Sequence, residues 1–272
     1  MRGGIISTTK CPATEQAQCF QSAPLQKCLI ALGGNLHNSR RTFNDALVQL
    51  QHLGCSDVET SRLKRTRPMG LEAGGDFLNA AAVLQTDQSP LELLKTLHDI
   101  ETMFGRTRTQ HWGPRILDLD LILYGDVVSN VPELVVPHPA MWYRRFVLDP
   151  AVEVAAEMVH PILGESISQL RDRLLQRPLA LELCADGSVA QTLFCDEIPN
   201  SLHDMSSDLQ WCAVEAEDIR SPDAFARITV RVEQPRSRTQ TLNPAERQVV
   251  VTGATMAEIL SQIQQLKTAM LG

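Results

Sequence analysis

The sequence predicts an α+β protein: a ferredoxin-like α/β sandwich over 27–175, a flexible N-terminal extension over 1–26 before it, and a small C-terminal α+β unit over 176–272. Three observations predict it. Between Lys27 and Tyr124 the apolar pattern runs strand, helix, strand, strand, helix, strand, the split β-α-β order of that sandwich. The chain has 272 residues and is 43% hydrophobic, enough for a buried core and for one large or two modest domains. Beyond 175 the texture changes to short alternating runs and a terminal helical stripe.

Taken in order, residues 1–26 carry no sustained periodicity. The apolar run 28–32, closed by Gly33-Gly34-Asn35, reads as a buried strand ending in a turn. Asn38 or Ser39 caps a helix whose apolar positions Phe43, Ala46, Leu47 and Leu50 keep helical spacing. Strands follow over 57–66 and 76–86, joined by a loop too long for a tight hairpin, the kind that carries binding groups. Ser89-Pro90-Leu91-Glu92 starts a second helix, which runs to Gly105. After the next strand, at 116–124, come short extended pieces over 127–136, a rigid Pro137-His138-Pro139 turn, and helical stretches over 141–158 interrupted at Pro150. In the C-terminal unit, 179–185 and 188–194 flank Asp186-Gly187, a two-residue hairpin signal. Further strands are expected at 209–215, 225–233 and 248–252. Thr255 and Glu258, at capping-box spacing, open a last helix with an apolar stripe.

Composition narrows the function classes. With 32 acidic and 25 basic residues the net charge is -7, against nucleic acid or an anionic membrane as bulk partner. No apolar run reaches the ~18 residues of a membrane span, so a soluble cytoplasmic protein is expected. The seven cysteines are odd in number and form no C-x-x-C pair, which reads as reduced thiols.

The chemistry concentrates in the stretch from His111 to Gly125. Alternation along 116–124 puts Leu117, Leu119, Leu121 and Leu123 on one face and Ile116, Asp118, Asp120 and Ile122 on the other. Both acids therefore point the same way, roughly 6.5–7 Å apart at the backbone. A carboxylate on an apolar strand is costly to bury without a counter-charge, and a divalent cation supplies one. Arg106, Arg108, Arg115, Arg144 and Arg145 flank the pair in sequence, and phosphoryl chemistry needs both metal and such cations. The plainer reading, a solvated arginine face with surface ion pairs, holds for any single arginine; the set around two strand carboxylates favours phosphate. His138 between two prolines is a structural residue or a phosphate donor. Trp112, Phe77 and Phe146 fit a core on base rates, but Asn79 beside Phe77 pairs an amide that donates and accepts with an aromatic face, suited to a flat heterocycle. The P-loop, the dinucleotide fingerprint and the kinase signature set are all missing.

The run Trp112-Gly-Pro-Arg-Ile-Leu-Asp-Leu-Asp-Leu-Ile-Leu closely resembles the signature of the 6-hydroxymethyl-7,8-dihydropterin pyrophosphokinases of folate biosynthesis. Ile30-Ala-Leu-Gly-Gly-Asn-Leu36, Phe77-Leu-Asn-Ala80, Gly105-Arg-Thr-Arg108 and Val136-Pro-His138 resemble further blocks of that family, in the family's order. The resemblance implies transfer of pyrophosphate from ATP to the hydroxymethyl group of the pterin, releasing AMP. By that likeness Asp118 and Asp120 hold two magnesium ions, and Arg106 and Arg115 act on the phosphates. Arg108, His138 and Arg144 are implied as further ATP contacts, with Glu101 and Leu121 near the adenosine. Phe77 and Phe146 are implied to sandwich the pterin, Asn79 to read its edge with help from Thr66 and Met69, and Trp112 to sit in a loop closing over the site. The chain departs from the family pattern at Gly34, where serine is common, at Phe77 for tyrosine, and at Arg67, Glu133 and Pro139.

The resulting expectation is a magnesium-dependent diphosphotransferase acting on ATP and hydroxymethyl dihydropterin, with neither nucleic acid nor membrane as partner. The rival is a catalytically silent nucleotide or pterin binder whose C-terminal unit makes a protein contact. That unit has no counterpart in the resemblance and is a candidate element for homo-oligomerisation.

Overall fold

The computed structural model describes residues 24–36, 38–67, 75–106, 115–177, 179–185, 209–214, 228–233, 248–252 and 256–271. The chain is α+β. Its first sheet takes β1 (Gln26–Gly34), β2 (Ser56–Thr60), β3 (Lys64–Thr66), β4 (Phe77–Thr86) and β5 (Asp118–Tyr124), in the order β2-β4-β1-β5 with β3 also on β4, every pairing antiparallel. Helices α1 (Ser39–His52) and α2 (Pro90–Met103) make the crossovers, each returning the chain past an intervening antiparallel strand.

Local chemistry sets the helix starts. Asn38 caps α1 by accepting from the Arg41 N–H, and Ser89 with Glu92 closes a reciprocal capping box on α2 behind Pro90. The strand expected over 57–66 is two strands. Ser61 interrupts it because its hydroxyl accepts from Ala81 N–H at 2.9 Å, taking over a bond that a regular ladder gives to backbone.

Two apolar clusters sandwich the sheet. Cys28, Ile30, Leu32, Leu117, Leu119 and Leu121 pack with α1 and α2. On the other face, Leu29, Ala81, Val83, Ile122 and Leu123 pack with α3 (Arg145–Ala155) and α4 (Ile167–Leu175). Leu123 departs from the expected alternation. The β1–β5 register steps from Leu29↔Leu123 to Ile30↔Leu121, so Ile122 is the extra residue of a bulge that turns Leu123 to the α3 face and Tyr124 to the α2 face. The bulge lies beyond Asp118 and Asp120, which stay on the α3 face. Pro150 interrupts nothing: it is buried within α3, where core packing outweighs one lost backbone bond.

Between β5 and α3 run the β6 (Ser129–Val131) and β7 (Leu134–Val136) hairpin, the cis Val136–Pro137 bond and a 3₁₀ turn at Met141–Tyr143. After α3, β8 (Val159–His160) and β9 (Glu165–Ser166) lead into α4.

The C-terminal residues form a four-stranded parallel sheet: β10 (Leu179–Ala185), β11 (Leu209–Val214), β12 (Ile228–Glu233) and β13 (Gln248–Thr252), in the order β11-β10-β12-β13. Helix α5 (Met256–Leu271) follows. The hairpin expected at Asp186-Gly187 does not form on β10. Parallel partners occupy both edges of that strand, and its expected partner, 188–194, lies outside the described residues, as does Thr255. The core runs on into this region, since Leu179, Val249 and Met270 share a buried cluster with Val147, Leu148, Leu170 and Leu174. Among the described residues no helix is long and apolar enough to cross a membrane.

Candidate active site

Strand register builds the site on the α3 face. Asn79 of β4, Gly33 of β1 and Asp118 of β5 stand side by side, with Ala81, Ala31 and Asp120 in the next row. Adjacent strands lie about 4.8 Å apart, so the Asn79 and Asp118 backbones are separated by roughly 10 Å. The β1 positions between these two rows are Gly33 and Ala31, both small. The outcome is a trough with an amide on one wall and two carboxylates on the other.

On the amide wall, Asn79 Nδ2 donates to Thr66 Oγ1 at 2.8 Å, which fixes the orientation of the group. Asn79 Oδ1 lies 3.6 Å from where a Cβ on Gly33 would stand, so its acceptor borders the trough floor. Phe77 shares this face by alternation along β4. Phe146 sits in the first turn of α3 with the Arg144 guanidinium 5.6 Å from its ring centroid, within cation–π range.

On the acidic wall, Asp118 is gripped from two sides. Its Oδ1 lies 2.6 Å from Arg106 Nη1, and its Oδ2 accepts from Arg115 Nη1 at 2.6 Å. Arg106 also pairs with Glu101 at the end of α2. The Glu101 side chain is only 2% exposed and accepts the Leu119 N–H at 2.7 Å, fastening α2 to the start of β5. Burial pushes its carboxyl up to about 7, despite the opposing pull of the Leu119 N–H and Arg106. Asp120 is pushed up to about 6 by burial and by the charge of Asp118, against the pull of Arg144, Arg106 and Arg115.

These carboxylates fit magnesium. Asp120 is a half-buried acid with no salt bridge among the described residues, so a divalent cation would favour its charged form. Magnesium commonly binds through one or two carboxylates, completed by waters and substrate phosphates.

His138 and Arg144 border the same region. The His138 N–H donates to the Ile122 carbonyl, and its Nδ1 accepts from Ala140 N–H at 3.2 Å, so the neutral ring carries its proton on Nε2. Burial first, then Arg144, lowers its pKa to about 4. Arg144 Nε is buried with no hydrogen-bond acceptor among the described residues.

Among the residues singled out from sequence, Thr66, Asn79, Asp118 and Asp120 meet around this trough, with Phe77 and Phe146 on the same face. Arg106, Arg115 and Glu101 join through Asp118, and Arg144 and His138 through their charge contacts. Leu121 stands apart, its side chain buried on the opposite face with α2. Met69, Arg108 and Trp112 lie outside the described residues. Sequence reasoning missed Gly33 and Ala31 as the trough floor. It also missed Asn35, whose Oδ1 accepts the Arg115 N–H at 2.8 Å while its own N–H donates to the Arg115 carbonyl at 2.9 Å. The signal was present in Gly33-Gly34-Asn35, but only the three-dimensional register separates this clamp from an ordinary turn.

The family model of the 7,8-dihydro-6-hydroxymethylpterin-pyrophosphokinases matches residues 29–156, from β1 to the end of α3. The 2-amino-4-hydroxy-6-hydroxymethyldihydropteridine pyrophosphokinase of Synechocystis is 40% identical over 55% of this chain and 78% of that protein. Its Haemophilus influenzae counterpart is 38% identical over 53% of this chain and 92% of that protein. The chain belongs to this pyrophosphokinase family. A crystal structure of wild-type HPPK-DHPS from Plasmodium falciparum with pteroate aligns at 12% identity and a TM-score of 0.45, over 60% of this chain and 50% of that one, too loose a likeness to carry an argument. Every site residue described above lies inside the stretch matched to the pyrophosphokinases; α4, the parallel sheet and α5 lie beyond it.

Proposed function

We propose that the protein transfers pyrophosphate from ATP to 6-hydroxymethyl-7,8-dihydropterin, giving the pterin diphosphate and AMP in cytoplasmic folate biosynthesis. The catalytic domain of this reading is a ferredoxin-like sandwich over 27–175. The observation that carries it is the trough, where the Asn79 amide faces Asp118 and Asp120 across Gly33. A flat heterocycle read by Asn79 would bring its hydroxymethyl group toward the carboxylates.

The pterin hydroxyl oxygen forms a bond to the β-phosphorus of ATP, the bond from that phosphorus to the oxygen retained by AMP breaks, and the hydroxyl proton leaves to solvent or a nearby base. Asp118 and Asp120 would hold two magnesium ions, which supply neutralisation of the phosphate oxygens and activation of the hydroxyl. Arg106 and Arg115, both paired with Asp118, would exchange that carboxylate for phosphate oxygens, to which the planar guanidinium is well matched. Arg144 brings a buried donor that still needs an acceptor, and His138 a neutral Nε2–H. Phe77 and Phe146 would hold the two faces of the pterin, with Thr66 fixing the amide of Asn79. Arg108, Trp112 and Met69 complete this reading as ATP, loop and pterin contacts, and Glu101 acts in it by holding Arg106 and β5; the Leu121 side chain, buried on the opposite face with α2, takes no part in it.

The test is incubation with ATP, magnesium and hydroxymethyl dihydropterin, with AMP and the pterin diphosphate as readout. Wild-type protein forms both; the Asp118→Ala variant loses several orders of magnitude in rate. Normal turnover by that variant would overturn the metal assignment. Binding of both substrates by the wild type without AMP would establish a silent binder instead.

A further inference from the structure

The end of α3 closes the family match, yet the first turn of the same helix is tied to the C-terminal helix. α1, α2 and α4 each begin under a side-chain cap, from Asn38, Ser89 and Ser166; α3 begins at Arg144 without one. Arg145 provides a different anchor. Its Nη1 donates to the Leu271 carbonyl at the end of α5, where a helix leaves carbonyls without intrahelical donors and favours a cation. Its Nη2 donates to Asp149 Oδ2 at 2.8 Å, and Asp149 Oδ1 accepts from Arg171 Nε at 3.2 Å, so one carboxylate links α3 to α4 as well. Beneath this polar tie, α5 packs on α3 and α4, with Met270 fully buried in the cluster that contains Val147, Leu148 and Ala151.

Arg145 stands between Arg144 and Phe146. Any rotation or shift of this turn moves the guanidinium and the ring together, because both leave the same uncapped turn and the Arg144 guanidinium lies over the Phe146 ring. We infer that the C-terminal unit is a positioning element for the substrate site: α5, fastened through Arg145 and Leu271, sets the α3 turn that presents Arg144 to the nucleotide and Phe146 to the pterin. Arg145 is thus a positioning residue. The inference rests on the proposed roles of Arg144 and Phe146.

The test uses the full chain. Arg145→Met keeps the aliphatic stem and removes the donors, Arg145→Lys restores a charged donor, and Met270→Ala loosens α5 without touching Arg145. Expected for Arg145→Met and Met270→Ala is a rise of about tenfold in KM for pterin or ATP with kcat nearly unchanged, the signature of lost ground-state binding. Arg145→Lys should recover much of the rise. A lowered Tm with both KM values within about twofold of wild type would overturn the inference and leave a purely structural tie. Calorimetric Kd values for the pterin separate the two readings. If the wild type forms no AMP, the proposed function fails, and an unchanged Kd in Arg145→Met would overturn the positioning role independently.

Discussion

Gly33 keeps Asn79 and Asp118 apart without filling the space between them: a Cβ there would lie 3.6 Å from Asn79 Oδ1 and 3.7 Å from Asp118 Cβ. Those are ordinary contact distances, so alanine fits the strand and, in place of glycine, should hold stability or raise it by roughly 0.5–1 kcal/mol. Anything longer has to project into the trough. Gly33→Leu should therefore fold normally while weakening pterin binding by on the order of a hundredfold, read as Kd by calorimetry beside a Tm measurement. Wild-type affinity in that variant would mean the pterin lies elsewhere.

Gly34 is constrained differently. A Cβ at this position would sit 2.7 Å from the Ile116 carbonyl oxygen and 3.4 Å from both Phe43 Cε1 and Ser39 Oγ. The nearest atom is backbone, which does not swing aside, and it adjoins Arg115, which Asn35 clamps. Gly34→Ser restores the residue common in the resembling family, yet in this chain it should cost about 1–3 kcal/mol and raise KM for ATP as Arg115 shifts. Thermal unfolding and ATP kinetics check it; no change in either would show that the approach of β1 to Ile116 relaxes freely.

What sequence made legible was the local part of this architecture. The elements from β1 to β5 apart from the break at Ser61, the helix start at Ser89-Pro90 and the shared face of Asp118 and Asp120 follow from spacing and residue type alone. Leu123 did not, because a continuous apolar run from Leu121 to Tyr124 looks the same with or without a bulge. The Asp186-Gly187 signal is a local turn preference, outweighed by non-local pairing that puts parallel strands on both edges of β10. Pro150 fails as a helix breaker for a similar reason, since tertiary packing supports α3 around it. At the site, residue types pointed to metal, phosphate and heterocycle, but the trough itself depends on the register of three strands distant in sequence.

Glu101 makes stability depend on pH in a definite direction. Its folded pKa of about 7 stands above the ordinary carboxylate value near 4.5. The group's contribution is therefore fully present below about pH 4.5 and is lost as pH rises through 7, up to about 3 kcal/mol on the order-of-magnitude scale. Glu101→Gln keeps an acceptor for the Leu119 N–H and removes the titration. Whatever offset comes from losing the ion pair with Arg106, the Tm of the variant minus that of wild type should increase between pH 5 and pH 8. A flat difference across that range would mean that Arg106 holds Glu101 ionised throughout.

His138 supplies the opposite case, a histidine kept neutral. The Ala140 N–H donates to Nδ1, so the proton resides on Nε2, and burial with Arg144 nearby holds the pKa down to about 4. Because that lies below the unfolded value of about 6.5, the stability from burying the neutral ring is complete above pH 6.5 and declines as pH falls toward 4. Nitrogen NMR of the ring should report the Nε2–H tautomer from pH 5 to 8 with no titration step between. A side-chain comparison tests the use of that proton. The amide nitrogen of glutamine reaches about as far as Nε2, whereas that of asparagine reaches only about as far as Nδ1. His138→Gln should then keep KM for ATP within about threefold of wild type, and His138→Asn should raise it about tenfold. Equal KM values in the two variants, or a ring that titrates near pH 6.5, would remove His138 as a neutral donor to the nucleotide and leave it a structural residue of the turn after β7.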